Sequence, residues 1–493
     1  MILVSFYIVL FIALIYTLPF FKENYIHRGA LSGVFLIKIA AGFFLTWVYS
    51  KYYTERQAAD IFKYFDDSKV IYSAFENHKF SDYLKMLTGV VNDNAYFDEN
   101  YYNVMNHWYR KYDFNYNDNH TIIRFNAFVM MFSGGNYNVH TVFMCFACLL
   151  GSTALYKAFA KYFEGKEKIL FVAIFLIPSV IFWSSGVLKE GILMFAMGFL
   201  FYSFMNLFIE KKKIIWNVII FTSSVALITI NKNYLLFAIV PALGCYYFVY
   251  HFIIKRVFVF FGAVYLSGCA LLLLFSPDVL ETLSLKQRDF IAVAKGGAYL
   301  ESKDHIVRIA PDKKEYLDTI TSKKFKIKTG SAYFCWKTDN PKDTIFVTNS
   351  SDTSTFTLLW DYPEAGSTIK VKKLEPTILS FIKNAPFALY NCLCEPGLFS
   401  SKSILEKIAA IENIITIIFL ALCLWLRKKE FDKNLLALCL FFSLTLLLLI
   451  GYTTPIAGAI MRYKVPLMPF LIMCGITVLD EKRIKFFSKK SGS

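Results

Sequence analysis

Histidine is scarce in this sequence, and cysteine is poorly placed for chemistry. Seven histidines are scattered over 493 residues without the spacing of a metal site. Of the ten cysteines, Cys145, Cys148, Cys245, Cys269, Cys423, Cys439 and Cys474 lie inside apolar runs, where cysteine behaves as a small hydrophobe. Cys335, Cys392 and Cys394 fall in a polar region, but Cys392 and Cys394 are too close in sequence to bridge comfortably. The pattern supports neither a disulfide framework nor a zinc site. There is no internal repeat, no low-complexity linker, and no basic stripe with interleaved aromatics of the kind that nucleic acid requires. The opening "MILVSFYIVLFIALIYTLPF" lacks a basic leader and a small-residue cleavage site, so it reads as a retained span rather than a signal peptide.

What the chain has in abundance is apolar surface. It is 56% hydrophobic and 18% aromatic, with a mean hydropathy of +0.46. Runs long enough to cross a bilayer recur from end to end, at roughly 2–20, 31–50, 139–162, 169–183, 191–209, 216–230, 234–252, 257–276, 405–426, 434–452 and 465–480. The expected fold is an all-α polytopic membrane protein of about eleven transmembrane helices. Its expected parts are an N-terminal bundle (1–276) with a long loop at 51–138, a second loop (277–404), and C-terminal helices with a basic tail (405–493).

Charge orients this array. Fifty-three Lys and Arg stand against 37 Asp and Glu, a net +16. Much of the excess sits in short loops such as "EGKEK", "EKKK", "RKKEFDK" and the tail "EKRIKFFSKKSGS". With eleven spans these fall on one side, which the positive-inside rule makes cytoplasmic; the N-terminus is then outside and the C-terminus inside. The other side receives both long loops, the break at 184–190, "NKNY" and "TTPIAGAIMRYK". In the second long loop, residues 320–375 alternate apolar and polar, which predicts a small β-rich extracytoplasmic insert. Residues 376–400 predict an interfacial helix broken by proline. In the first loop, Ile122, Ile123, Phe125, Phe128 and Val129 form an apolar face around Arg124, ended by Gly134-Gly135.

Charges beside lipid are costly and usually have a reason. The outer set is Asp60, Asp66, Asp67, Arg124, Lys189, Glu190, Lys232, Arg462 and Lys464. Carboxylates surrounded by cations suit a reaction in which one group loses a proton, taken by a carboxylate base, and another carries phosphate held by Arg and Lys. On a helix, Asp60 and Asp67 share a face. Each member also has a plainer reading. Asp66-Asp67 suits a solvated helix face. Lys189-Glu190 suits a local ion pair closing the break, and Arg124, Arg462 and Lys464 suit snorkelling or anchoring at the interface. Lys232 suits an ordinary loop lysine. Tyr52, Tyr53, Tyr64, Tyr101 and Tyr102 suit stacking on sugar rings, as well as the usual aromatic belt.

Three stretches carry a likeness to known families. They are "YYTERQAADIFKYFDDS", "PSVIFWSSGVLKEG" and "GAIMRYKVPLMPF". In these the chain resembles the polytopic glycosyltransferases of the C-type fold and the related bacterial oligosaccharide repeat-unit polymerases of O-antigen and exopolysaccharide assembly. The likeness covers roughly 30–270 and 405–480; the 320–375 insert resembles neither. It implies a multi-pass protein of the cytoplasmic membrane, active on the extracytoplasmic face. It also implies a polyprenyl-phosphate-linked sugar or oligosaccharide as donor, and a saccharide or glycolipid as acceptor. By position it implies Asp60 as base with Asp66 or Asp67 behind it, and Arg462 then Lys189 as phosphate ligands. The chain departs from the C-type pattern in placing a full span, 2–20, before the span that leads into the acidic loop. Transferase and polymerase both remain open. The sequence specifies no cofactor; a divalent cation is possible, since carboxylates and phosphate could share one. The competing class is a transporter or flippase for a lipid-linked glycan, which calls for polar groups near the midplane and broken helices in related halves; an assembly role is a third.

Overall fold

The computed structural model describes residues 2–22, 26–52, 56, 59–90, 94–106, 117–302, 305–321, 324–328, 331–337, 344–350, 355–362 and 364–480. The basic tail at 481–493 and Tyr53 lie outside the described residues. Among the described residues, eight helices are long and apolar enough to cross a membrane, and counting two bent pairs as one span each raises this to ten. The pairs are Glu167–Phe175 with Pro178–Ser185, bent by 42°, and Ala457–Tyr463 with Met468–Val478, bent by 64°. The shorter apolar helix Ile2–Thr17 falls on the first expected span. Each apolar stretch read from the sequence thus coincides with a helix or a bent pair, and the protein reads as a multi-pass membrane protein.

The chain divides into two compact units. One holds 1–266, 414–446 and 462–493; the other holds 267–413 and 447–461. The C-terminal helices therefore belong largely with the N-terminal bundle.

In the first unit, the helices Tyr137–Phe159 and Lys189–Phe204 pack at backbone distance. A Cβ on Gly198 would stand 1.8 Å from the Gly151 carbonyl oxygen, and one on Gly151 would stand 2.3 Å from Phe195 Cα. Small residues at a membrane helix crossing allow this approach, where van der Waals contact replaces the missing hydrophobic drive. The helix Arg28–Tyr52 approaches the end of Pro178–Ser185 in the same way, with Gly42 against the Ser185 carbonyl. Over these lie helices Asp60–Glu76, Phe80–Thr88 and Asn119–Ser133, whose contact residues include Ile61, Tyr64, Ile71, Tyr83, Met86, Ile122, Ile123 and Ala127. The helix Asn119–Ser133 has two apolar sides. Ile122, Ile123 and Val129 are buried, whereas Phe128 and Phe132 are exposed, so the five residues expected to form one face are split between protein and surroundings. Gly134 and Gly135 end it at φ +53 and +77, a backbone that glycine adopts without strain.

The break that separates Pro178–Ser185 from Lys189–Phe204 is shorter than the 184–190 read from the sequence. It occupies only 186–188, and Val187 and Leu188 are fully buried. Lys189 and Glu190 belong to the first helical turn that follows.

The second unit contains an antiparallel seven-stranded sheet. Its strands are β1 (Gly297–Glu301), β2 (His305–Ile309), β3 (Leu317–Thr321), β4 (Lys324–Ile327), β5 (Ser331–Lys337), β6 (Thr344–Ser350) and β7 (Thr355–Tyr362), in the order β3-β4-β7-β1-β2-β5-β6. Leu300, Val307, Ile309, Ile327 and Phe356 form its core. The sheet begins at Gly297, ahead of the expected 320, because Ala298, Tyr299 and Leu300 are buried in succession and show no alternation. The expected interfacial helix is present as Ile378–Cys394, but Pro386 sits within it without ending it.

The glycine contact yields a prediction. Gly198→Leu should destabilise the folded protein by about 1–3 kcal/mol through overpacking against the Gly151 backbone. Thermal unfolding in detergent should show it, whereas Gly244→Leu, at a glycine with open space around its Cβ, should be tolerated.

Candidate functional site

A polar cluster lies where the two helix breaks and the overlying helices of the first unit come together. Its floor is Glu190, fully buried in the first turn of Lys189–Phe204. A carboxylate suits a helix N-terminus, where the unpaired N–H groups present positive charge. Its Oε1 meets two cations: Lys232 Nζ at 3.0 Å and Arg462 Nε at 2.9 Å. Lys232 ends the helix Ile214–Lys232, where the dipole favours a cation. It also lies 4.4 Å from the ring centroid of Tyr463, within cation–π range. Arg462 occupies the last turn of Ala457–Tyr463 and extends Nη1 to Asp60 Oδ2 at 3.2 Å. Asp60 in turn opens the helix Asp60–Glu76.

The neighbouring lysine points elsewhere. Lys189 Nζ donates to Asp118 Oδ2 at 2.7 Å and to Asn119 Oδ1 at 2.8 Å. The Tyr64 hydroxyl donates to the same Asn119 oxygen at 3.1 Å. Burial, then the Asp60 carboxylate, pushes the Tyr64 phenol well above its ordinary range, which keeps it a neutral donor. The two halves are also linked through the main chain, since Asn231 Nδ2 donates to the Lys189 carbonyl at 3.3 Å. Lys189 and Glu190 therefore do not form the local ion pair that their adjacency suggests; each binds partners from other helices. A pair taken apart in this way fastens five segments: the start of Lys189–Phe204, the end of Ile214–Lys232, the end of Ala457–Tyr463, the start of Asp60–Glu76 and the start of Asn119–Ser133.

The other residues expected at the site have different surroundings. Asp66 is gripped by Arg56, at 2.8 and 3.0 Å, with Lys69 at 3.6 Å. Asp67 is fully buried, and its Oδ1 accepts from the backbone N–H and side-chain amide of Asn106 at 2.7 and 3.0 Å. Lys63, between the two carboxylates on this helix, has its ammonium pKa lowered by burial, with Asp60 and Asp67 opposing. Arg124 donates to the Met86 carbonyl at 3.0 Å and covers Gly89, so its guanidinium sits on the C-terminal turn of Phe80–Thr88. Lys464 is buried in the bend between the last two helices rather than standing at an interface. Among the described residues no group of His, Cys, Asp and Glu could hold a metal ion.

Sequence reasoning missed Asp118, Asn119 and Asn231, which carry no pattern linking them to Lys189. It also passed over Lys38, a buried lysine in the helix Arg28–Tyr52 that donates to Ser184 Oγ at 2.7 Å. That one was legible as the lone charge inside the run 31–50.

These environments separate the acidic residues. Replacing Glu190 by Ala takes the buried carboxylate from Lys232 and leaves Arg462 with Asp60 alone, and should cost about 3–5 kcal/mol. Asp67→Ala should cost about 1.5–3 kcal/mol through its lost charged hydrogen bonds. Asp66→Asn, at a partly exposed pair, should cost at most about 1 kcal/mol. Denaturant unfolding of the three variants in one detergent checks the order.

No family model, no curated protein and no solved structure matches the chain. The reading of the cluster therefore rests on its own geometry and on the three motifs.

Proposed function

We propose that the protein is a membrane glycosyltransferase that uses a polyprenyl-phosphate-linked sugar or oligosaccharide on the extracytoplasmic face, with the Asp60–Arg462–Glu190 cluster as its site. The observation that carries this reading is Arg462 standing between a buried carboxylate and a partly exposed one. Glu190 holds the guanidinium, and Asp60 is left at the accessible edge. Asp60 is the base: its carboxylate takes the proton of an acceptor hydroxyl as that oxygen bonds to the anomeric carbon. The bond from that carbon to the lipid phosphate breaks, and the phosphate leaves with the electron pair. Arg462, Lys189 and Lys232 stabilise its charge. Glu190, counted in the outer charged set as a substrate-site residue, acts here as the holder of the cations. Glu190 Oε2 and Asn231 Oδ1 are buried acceptors without a hydrogen-bond partner among the described residues, which suits a substrate rich in hydroxyls. A repeat-unit polymerase performs the same bond exchange with an oligosaccharide donor.

A second reading has its own support. The span that carries Arg462 is bent by 64°, and the bent pair that ends at Ser185, just before Lys189, by 42°; discontinuous helices next to buried charge also mark transporters of anionic substrates. That reading expects a lipid-linked glycan to be moved rather than joined.

Surface-glycan profiling with chain-length analysis separates the two in cells expressing Asp60→Asn or Arg462→Ala at normal protein level. Removing the base should reduce transfer by about 10²–10⁴-fold and abolish a surface polysaccharide or leave single repeat units. Single units identify a polymerase. Unchanged glycans in both variants would sink the transferase reading. Accumulation of an intact lipid-linked glycan on the cytoplasmic side would favour the transporter.

A further inference from the structure

The cluster balances its charges in an uneven arrangement. Arg462, Lys189 and Lys232 are all buried or nearly so, and they face three carboxylates. The carboxylates differ in exposure: Glu190 is 0% exposed, whereas the Asp60 and Asp118 side chains are 38% and 45% exposed. One acid is thus built into the floor, and two lie across the cations on the open side. Arg462 is held more loosely on the open side, at 3.2 Å to Asp60 against 2.9 Å to Glu190, whereas Lys189 meets Asp118 at 2.7 Å. Asp118 sits just before the helix Asn119–Ser133 and makes no side-chain cap there; its carboxylate goes to Lys189 instead.

We infer that Asp60 and Asp118 occupy the places of the substrate's phosphate oxygens, and that a diphosphate group displaces both carboxylates from Arg462 and Lys189 as it binds. The inference rests on the proposed lipid-phosphate chemistry of the same site and gives it a substrate class and an order of events. Two cation–carboxylate ends favour two phosphoryl groups over one. Asp60 and Tyr64 are one helical turn apart on the same helix, and Tyr64 hydrogen-bonds the Asn119 amide that also receives Lys189, which links the two ends. Each outer pair joins a nearly buried cation to a half-exposed carboxylate, and a doubly charged oxyanion offers those cations stronger charge-assisted hydrogen bonds than a single carboxylate does. The exchange also has a chemical effect. A carboxylate bound to a guanidinium is a poor base, and Asp60 becomes competent only when the phosphate has taken its cation. Without substrate the acids shield the cations from stray anions.

The test is anion binding by the purified full-length protein in detergent, measured calorimetrically with inorganic pyrophosphate and, separately, with farnesyl diphosphate. Asp60→Asn and Asp118→Asn each remove a competitor for the cations, so each should bind pyrophosphate about fivefold more tightly than the unaltered protein. Lys189→Met should abolish the gain made by Asp118→Asn. The inference is overturned if both variants, folded and monodisperse, bind no more tightly than the parent, or if no form binds either probe. If Asp60→Asn fails to fold, Asp118→Asn decides alone, because its side chain lies at the open edge. Tighter binding of farnesyl diphosphate than of pyrophosphate supports a lipid source. Equal binding supports the exchange but counts against a lipid donor. Because activity is not the readout, failure of the exchange and failure of the transferase reading are distinguishable.

Discussion

Burying the carboxylate of Glu190 is the constraint around which the first unit is organised. An isolated carboxylate in so dry a place would be prohibitively costly, and its partners come from chain segments far apart in sequence. Lys232 reaches it from the end of one membrane helix and Arg462 from the bend before the last. Arg462 then reaches on to Asp60 at the start of an overlying helix. The penalty of the buried charge thereby becomes a specification of position. Any arrangement that separates these helix ends leaves a charge unpaired inside the protein, so the ends are held in place more strictly than apolar packing alone would hold them.

The apolar framework makes that specification achievable. Helices Tyr137–Phe159 and Lys189–Phe204 touch backbone to backbone at Gly151 and Gly198, and Gly42 lets the helix Arg28–Tyr52 come against the Ser185 carbonyl. These approaches bring the short break at 186–188 close to its neighbours and bury it. Lys189 and Glu190 then emerge at a defined height, with the helices Asp60–Glu76 and Asn119–Ser133 above them. The binding chemistry proposed for the cluster depends on this layering, with cations and one acid below and two exchangeable acids above.

Much of this was legible in the sequence, for physical reasons that vary from residue to residue. The apolar stretches were plain because a bilayer demands length and composition together. Asp60, Glu190, Lys232 and Arg462 stood out because charge is rare at span ends, and the structure brings these four into one set of contacts. Their pairing was not legible. Asp60 and Arg462 are 402 positions apart, while the adjacency of Lys189 and Glu190 suggests a bond the fold does not make. Asp66 and Asp67 look equivalent in sequence, yet a helix turns neighbours about 100° apart, which sends one to Arg56 and the other to Asn106. The start of the sheet was hidden because β1 is covered on both faces and lacks a period of two. Asp118 could not be singled out, since aspartate just before a helix normally reads as a cap.

Lys38 has a consequence for how the protein is made. The helix that carries it is otherwise apolar enough to span a membrane. Yet the lysine lies well inside that helix, buried, with the Ser184 hydroxyl as its hydrogen-bond partner. A lysine at the centre of a span opposes insertion by roughly 2.5–3.5 kcal/mol when the segment enters lipid alone. Its partner is 146 positions downstream, so it is synthesised long after the lysine has reached the membrane. Until then the ammonium must be accommodated by water, by lipid headgroups or by the membrane's insertion machinery. The early helix thus carries a charge whose hydrogen-bond partner comes only with the later helix Pro178–Ser185.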